Sequence, residues 1–174
     1  PKDIRAFMAR AGELGVDQAL TFLREVDTVN LRRRQHVIDL VGRQLGGDVH
    51  GRAVAVLGAA FKPESDDIRD SPALDVAGRL HLQGADVRVF DPQAMGNAAK
   101  VWPTLRFVES ATEALAGAEV VVVATEWKEF RSLDPHAVAD LVADKVVIDG
   151  RNCLPAEQWI DAGWRYLGLG RHAS

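Results

Sequence analysis

The chain has 174 residues, 47% of them hydrophobic and 26% charged, with a net charge of -4. That is ordinary soluble globular composition, and an acidic balance gives no electrostatic case for binding nucleic acid or an anionic membrane. One cysteine excludes a disulfide framework within the chain, and the absence of any apolar run near ~20 residues excludes a membrane-spanning helix in the sequence. No secretory leader is visible, which with the lone cysteine fits a reducing cytoplasm.

Two parts are expected: a helical segment over residues 1–47 and an α/β domain over 48–174. Ile4, Phe7, Met8 and Ala11 keep a helical period that Gly12 and Gly15 weaken. A longer helix follows from Asp17 to about Leu45. Its stripe is Leu20, Leu23, Val26 and Val29, resuming at Val37, Ile38, Val41 and Leu45 after the polar interruption Arg32-Arg33-Arg34. Gly46-Gly47 ends it. Such a stripe must be covered, either by another domain or by a second copy of the chain.

From residue 48 strands alternate with helices. Ala53–Leu57 is a strand, and Ser71-Pro72 is an N-cap with proline at the first helical position. That helix runs to about Gln83. Val87–Phe90 is the second strand, and Ser110 caps a short helix to Ala116. Glu119–Val123 is the third strand, Asp134-Pro135 opens a helix, and Lys145–Ile148 is the fourth strand. Pro155–Ala162 is helical, and Tyr166-Leu167 closes one edge of the sheet. Uniformly apolar strands alternating with helices predict a Rossmann-like parallel sheet with helices on both faces. Ligands of such sheets sit beyond the carboxyl ends of the strands. Attention therefore falls on the loops after Leu57, Phe90, Ala124 and Ile148.

The loop after Leu57 reads Gly58-Ala59-Ala60-Phe61-Lys62-Pro63. A dinucleotide site wants G-x-G-x-x-G, and here the first glycine stands alone, which disfavours dinucleotide binding at this loop. Lys62 suits a phosphate and Phe61 a base, or Lys62 is solvated and Phe61 is core. Glu64, Asp66, Asp67 and Asp70 are read as charges at the start of a helix that hold Arg69 in an ion pair, in preference to a metal site. Asp91-Pro92 is a turn start, or a ribose-binding acid. Trp127 and Phe130 are core aromatics. Lys62, Thr125 with Glu126, and Arg151 are expected to converge on one crevice. Cys153 is read as a small half-buried residue in preference to a nucleophile, and the five histidines make no metal-ligand spacing.

"GAAFKPESDDIRDSPALDV" resembles the G-x-A-F-K-x-x-x-D-D-x-R-x-S-P signature of the UDP-glucose/GDP-mannose dehydrogenase family. "ATEWKEF" and "DGRNCL" are similar to the T-E-W-x-x-F and D-G-R-N motifs of its UDP-glucose-oxidising branch, and the opening "PKDIRAF" to the end of a G-G-S-C-F-P-K-D motif. The motifs fall in matching order over essentially the whole chain. The resemblance implies oxidation of UDP-glucose to UDP-glucuronate by two hydride transfers to NAD, through a cysteine-bound thiohemiacetal and thioester. It implies a Rossmann-like UDP-sugar domain preceded by a long helix that makes a homodimer; if the apolar stripe of that helix forms the contact, Val37 and Val41 lie in it. By carry-over Phe61, Lys62 and Arg151 bind the sugar nucleotide, Arg69 and Lys2 lie on the cofactor side, and Asp3 is catalytic. The nucleophile would lie two residues before Pro1, so the chain is expected to be the C-terminal part of the enzyme, inactive alone, with NAD bound mainly by an N-terminal domain. Sibling enzymes for GDP-mannose, UDP-N-acetylmannosamine or UDP-N-acetylglucosamine, and a non-catalytic sugar-nucleotide or dimer module, are the alternatives. A response-regulator-like signalling domain fails, because Gly58-Ala59-Ala60 stands where its acidic pocket would be.

Overall fold

A computed structural model describes residues 17–170, with side chains from residue 24 onward. The expected first helix and the candidates Lys2 and Asp3 lie outside the described residues.

Helix α1 spans Asp17–Gln44. It ends where the sequence supplies glycines: Gly46 takes φ 79°, and the Gly47 amide reaches back to the Gly42 carbonyl at 2.8 Å. That is the wrap-around bond of a glycine-terminated helix. The second half of the α1 stripe is spent inside the chain. Val37, Ile38, Val41 and Leu45 are all buried and belong to one core with the strands. The expected dimer contact at Val37 and Val41 is thus covered in cis, because the helix crosses β5 and packs on α2.

After α1 come β1 (Ala53–Leu57), α2 (Pro72–Leu82), β2 (Asp86–Phe90), α3 (Met95–Val101), β3 (Arg106–Phe107), α4 (Ala111–Leu115) and β4 (Val120–Val123). Then follow α5 (Lys128–Arg131), α6 (Pro135–Val138), β5 (Val146–Asp149), α7 (Ala156–Asp161) and β6 (Arg165–Gly168). The six strands are all parallel in the order β3-β2-β1-β4-β5-β6. Strands β1 and β4 sit at the centre, and Val54, Val56, Val120, Val121 and Val123 are fully buried. A strand buried on both pleats needs helices on both faces, which is why these runs carry no polar alternation. The chain steps outward from β1 to β3, then returns beside β1 as β4. The switch in strand order therefore lies between the ends of β1 and β4.

The sequence reading missed α3 and β3. Strand β3 has two residues, too short for any period, and pairs through Arg106 and Phe107 with Arg88 and Val89. The helices after β4 and β5 are short, and of the three only α6 has a side-chain cap. Asp134 accepts from the His136 amide at 2.9 Å with Pro135 at the first helical position. Among the described residues no helix is long and apolar enough to cross a membrane.

Candidate functional site

Three strand-end loops meet at the switch point, and their backbone is held by side chains of one another. Gly58 leaves β1 at φ 116°. A Cβ there would lie 2.5 Å from Thr125 Oγ1 and 2.8 Å from the Thr125 amide nitrogen, so glycine is required by conformation and by close approach. The Gly58 amide donates to the Phe90 carbonyl at 2.7 Å, and the Phe61 amide to the Asp67 carbonyl at 2.8 Å. The Ser71 hydroxyl donates to the Ala59 carbonyl at 2.6 Å, and the Thr125 hydroxyl to the Ala60 carbonyl at 3.0 Å. The remaining amides of this turn, Ala59 and Ala60, donate to Asp91 Oδ2 at 2.8 and 2.9 Å. All four amides from Gly58 to Phe61 are thus satisfied internally. A dinucleotide diphosphate needs such amides open, and this loop does not fit one.

Beside the turn a cleft of about 1060 Å³ opens between α1 and the carboxyl ends of the strands. Phe61 faces it from the first loop, Glu126 and Arg131 from beyond β4, and Gly150–Cys153 from beyond β5. Helix α1 supplies Arg32, Arg33, Arg34 and His36. Five arginines against one glutamate make this wall cationic on a chain whose net charge is -4.

Arg151 and Glu126 form a two-pronged ion pair, Nε to Oε2 at 2.5 Å and Nη2 to Oε1 at 3.0 Å. The hydrogen bond from Arg151 holds the Glu126 carboxyl below its usual range, and Glu126 in turn raises the guanidinium. The Arg151 amide donates to Asp149 Oδ1 at 3.0 Å, while Oδ2 of this buried acid accepts from the Leu154 amide at 2.8 Å and the Tyr166 hydroxyl at 2.9 Å. Asp149 thereby fixes the turn that carries Arg151. Arg34, 9% exposed, donates from Nη2 to the Asp70 carbonyl at 3.1 Å and lies 3.6 Å from Asp75, with Nε unpartnered.

Of the sequence candidates, Phe61 and Arg151 reach this cleft together, with Glu126. Lys62 is exposed next to Phe61 and is not part of the cleft wall. Thr125 is 1% exposed and turned to the Ala60 carbonyl, away from the crevice where it was expected. Arg69 is locked to Asp67 by bonds of 2.8 and 2.6 Å, the ion pair the acidic run suggested. Cys153 lines the cleft, but burial, with Asp149 and Glu126 nearby, pushes its thiol up to about 12, the opposite of an activated nucleophile. The α1 arginines were missed as site residues. Their signal was the interruption of the stripe: three consecutive basic residues point in three directions, and Arg34 is the one drawn inward.

Residues 55–156 match the model of the UDP-glucose/GDP-mannose dehydrogenase family, UDP binding domain. The chain belongs to this family. Among curated members of the family it is similar to the UDP-glucose 6-dehydrogenase YwqF of Bacillus subtilis, 34% identical over 99% of the chain and 39% of that protein. It is also similar to the UDP-glucose 6-dehydrogenase AglM of Haloferax volcanii, 38% identical over 92% of the chain and 36% of that protein. Among solved family structures, a UDP-glucose dehydrogenase from Pyrobaculum islandicum superposes with TM-score 0.76 at 33% identity, over 99% of this chain and 37% of that one. A GDP-mannose dehydrogenase from Pseudomonas aeruginosa gives 0.73 at 25% identity, over 97% of this chain and 38% of that one. The chain therefore spans less than two fifths of the length of these relatives.

Proposed function

We propose that the chain is the sugar-nucleotide-binding part of an NAD-dependent UDP-glucose 6-dehydrogenase. The cationic cleft at the switch point, in a chain that matches the family's UDP-binding domain, carries the reading. Arg151 contacts the diphosphate. Glu126 takes Nε and one Nη2 hydrogen, which leaves the Nη1 edge and one further N–H for phosphate oxygens. Phe61, 37% exposed, offers its ring to the base, and Lys62 adds a second positive charge from the same loop. Asp3 serves the chemistry, and Lys2 with Arg69 faces the cofactor. NAD itself is held mainly by a part of the enzyme outside this chain, since the first loop here does not fit a dinucleotide. Bound NAD supplies the hydride acceptor, while these residues bind and orient the sugar nucleotide. The chain alone is expected to reduce no NAD.

Residues 1–47 act as the dimerisation segment and 48–174 as the nucleotide domain. A homodimer forms through the part of α1 that the core leaves open, where Leu31 is 46% exposed. The similar fold of a GDP-mannose dehydrogenase keeps a sibling sugar nucleotide as the second reading. Calorimetric titration with UDP, UDP-glucose, GDP and NAD separates the two. Saturable binding of UDP and UDP-glucose without GDP or NAD is expected. GDP preference would move the assignment to the sibling class, and NAD binding would contradict it.

A further inference from the structure

Asp91 stands at the end of β2, where a dinucleotide-binding fold carries the acid that holds a ribose hydroxyl. Its carboxylate does something else. It is fully buried, and five N–H groups converge on it. Oδ2 accepts from Ala59 and Ala60 of the first loop at 2.8 and 2.9 Å, and from the Trp127 indole at 3.0 Å. Oδ1 accepts from the Gln93 and Ala94 amides at 3.0 and 2.8 Å. These donors come from the loops after β1, β2 and β4, the three that surround the switch point. Every one of them is a neutral dipole. Consecutive loop amides closing on an anionic oxygen are the chemistry by which such loops receive a phosphate.

We propose that Asp91 is a built-in anion that occupies the phosphate-receiving turn of this fold and so decides which nucleotide class the domain accepts. With the carboxylate in place the Ala59 and Ala60 amides are closed to a dinucleotide diphosphate. The indole of Trp127, 4% exposed, fills the space beside it. A nucleotide must then be held from the other side of the turn, where Phe61 and Arg151 stand. Asp91 is a positioning and specificity-determining residue. The inference rests on the reading of the domain as nucleotide-binding, but not on which sugar nucleotide it takes, and its tests read the first loop alone.

Anion rescue tests this directly. In Asp91→Ala, made in the whole 174-residue chain, the melting temperature is expected to fall, and sodium formate to restore at least half of the loss saturably. Sodium chloride at equal ionic strength should not do so, and the wild type should not respond to formate. Inorganic pyrophosphate should compete for the vacated turn and protect the variant. A folded variant indifferent to both anions overturns the proposal. If the variant does not fold under any condition, the wild type decides. The Ala59 and Ala60 amide resonances should stay fixed as NADH or pyrophosphate is added, and saturable shifts of both would overturn the assignment.

Discussion

Replacing Gly58 by alanine probes the turn on which the site is built. Two costs are legible. The backbone sits at φ 116°, a region L-residues avoid at about 1–3 kcal/mol. The new methyl would lie 2.7 Å from Thr125 Cβ and 2.8 Å from the Thr125 amide nitrogen. Backbone cannot swing aside like a flexible side-chain tip, so overpacking adds about 1–3 kcal/mol. If Thr125 moves, its hydroxyl also loses the Ala60 carbonyl, about 1 kcal/mol more. The expected loss is about 2–7 kcal/mol, or roughly 4–28 °C in Tm at the 2–4 °C per kcal/mol of a chain this size. Gly46→Ala is the control. Its φ is 79°, but a Cβ there meets nothing within 4 Å, so it should lose about 1 kcal/mol. Urea unfolding followed by circular dichroism measures both. A Gly58→Ala variant within about 0.5 kcal/mol of wild type, or no worse than Gly46→Ala, would refute the close-approach reasoning.

Other outcomes follow from the same structure. Arg151→Ala should weaken UDP binding about 10- to 100-fold in calorimetry, the value of one charge-assisted contact of about 1.5–3 kcal/mol, while unchanged affinity would remove Arg151 from the site. Val41→Asp should unfold the chain, because it puts an unpaired charge at a fully buried position; a folded monomer in sedimentation would instead return the α1 stripe to a dimer interface. Glu119, bonded to Arg52 and to the Ala53 amide, is held below its ordinary 4.5, as is Glu126 by Arg151. Groups with depressed values contribute stability above their unfolded pKa and lose it as pH falls through the folded one, so stability should drop below about 4.5 and Glu119→Gln should shallow that slope in acid titration. Cys153, whose thiol burial pushes from the ordinary 9.0 up to about 12, should be alkylated by iodoacetamide much more slowly than a free thiol at pH 8; modification at the rate of a free thiol would show the thiol is not suppressed.

The central strands were legible because their chemistry is local. Val54–Leu57 and Val120–Val123 carry their burial in their composition, and Ser71-Pro72 and Asp134-Pro135 carry their helix starts in adjacent residues. Strand β3 was not, since Arg106-Phe107 is strand only by lying beside Arg88 and Val89. Of the site, Glu126 and Arg151 could be placed at one crevice because each sits at a strand end, while Lys62, expected with them, stays outside the cleft wall and its neighbour Phe61 stands there instead. Thr125 obeyed the same rule and yet turns inward, as Gly58 brings backbone close enough for its hydroxyl to cap Ala60. The sequence offered Asp91 as a turn starter, and Oδ1 does bond the Gln93 and Ala94 amides in that way. Its second oxygen meets groups 31, 32 and 36 residues away, a meeting decided by the parallel register of β1, β2 and β4 and by nothing near Asp91 in the chain.

A crystal structure of the chain with UDP tests the placement of the nucleotide most directly. The diphosphate is expected against Arg151 within the cleft beside Phe61, with Asp91 still bonded to the Ala59 and Ala60 amides. A diphosphate seated on those two amides, with Asp91 displaced, would contradict it.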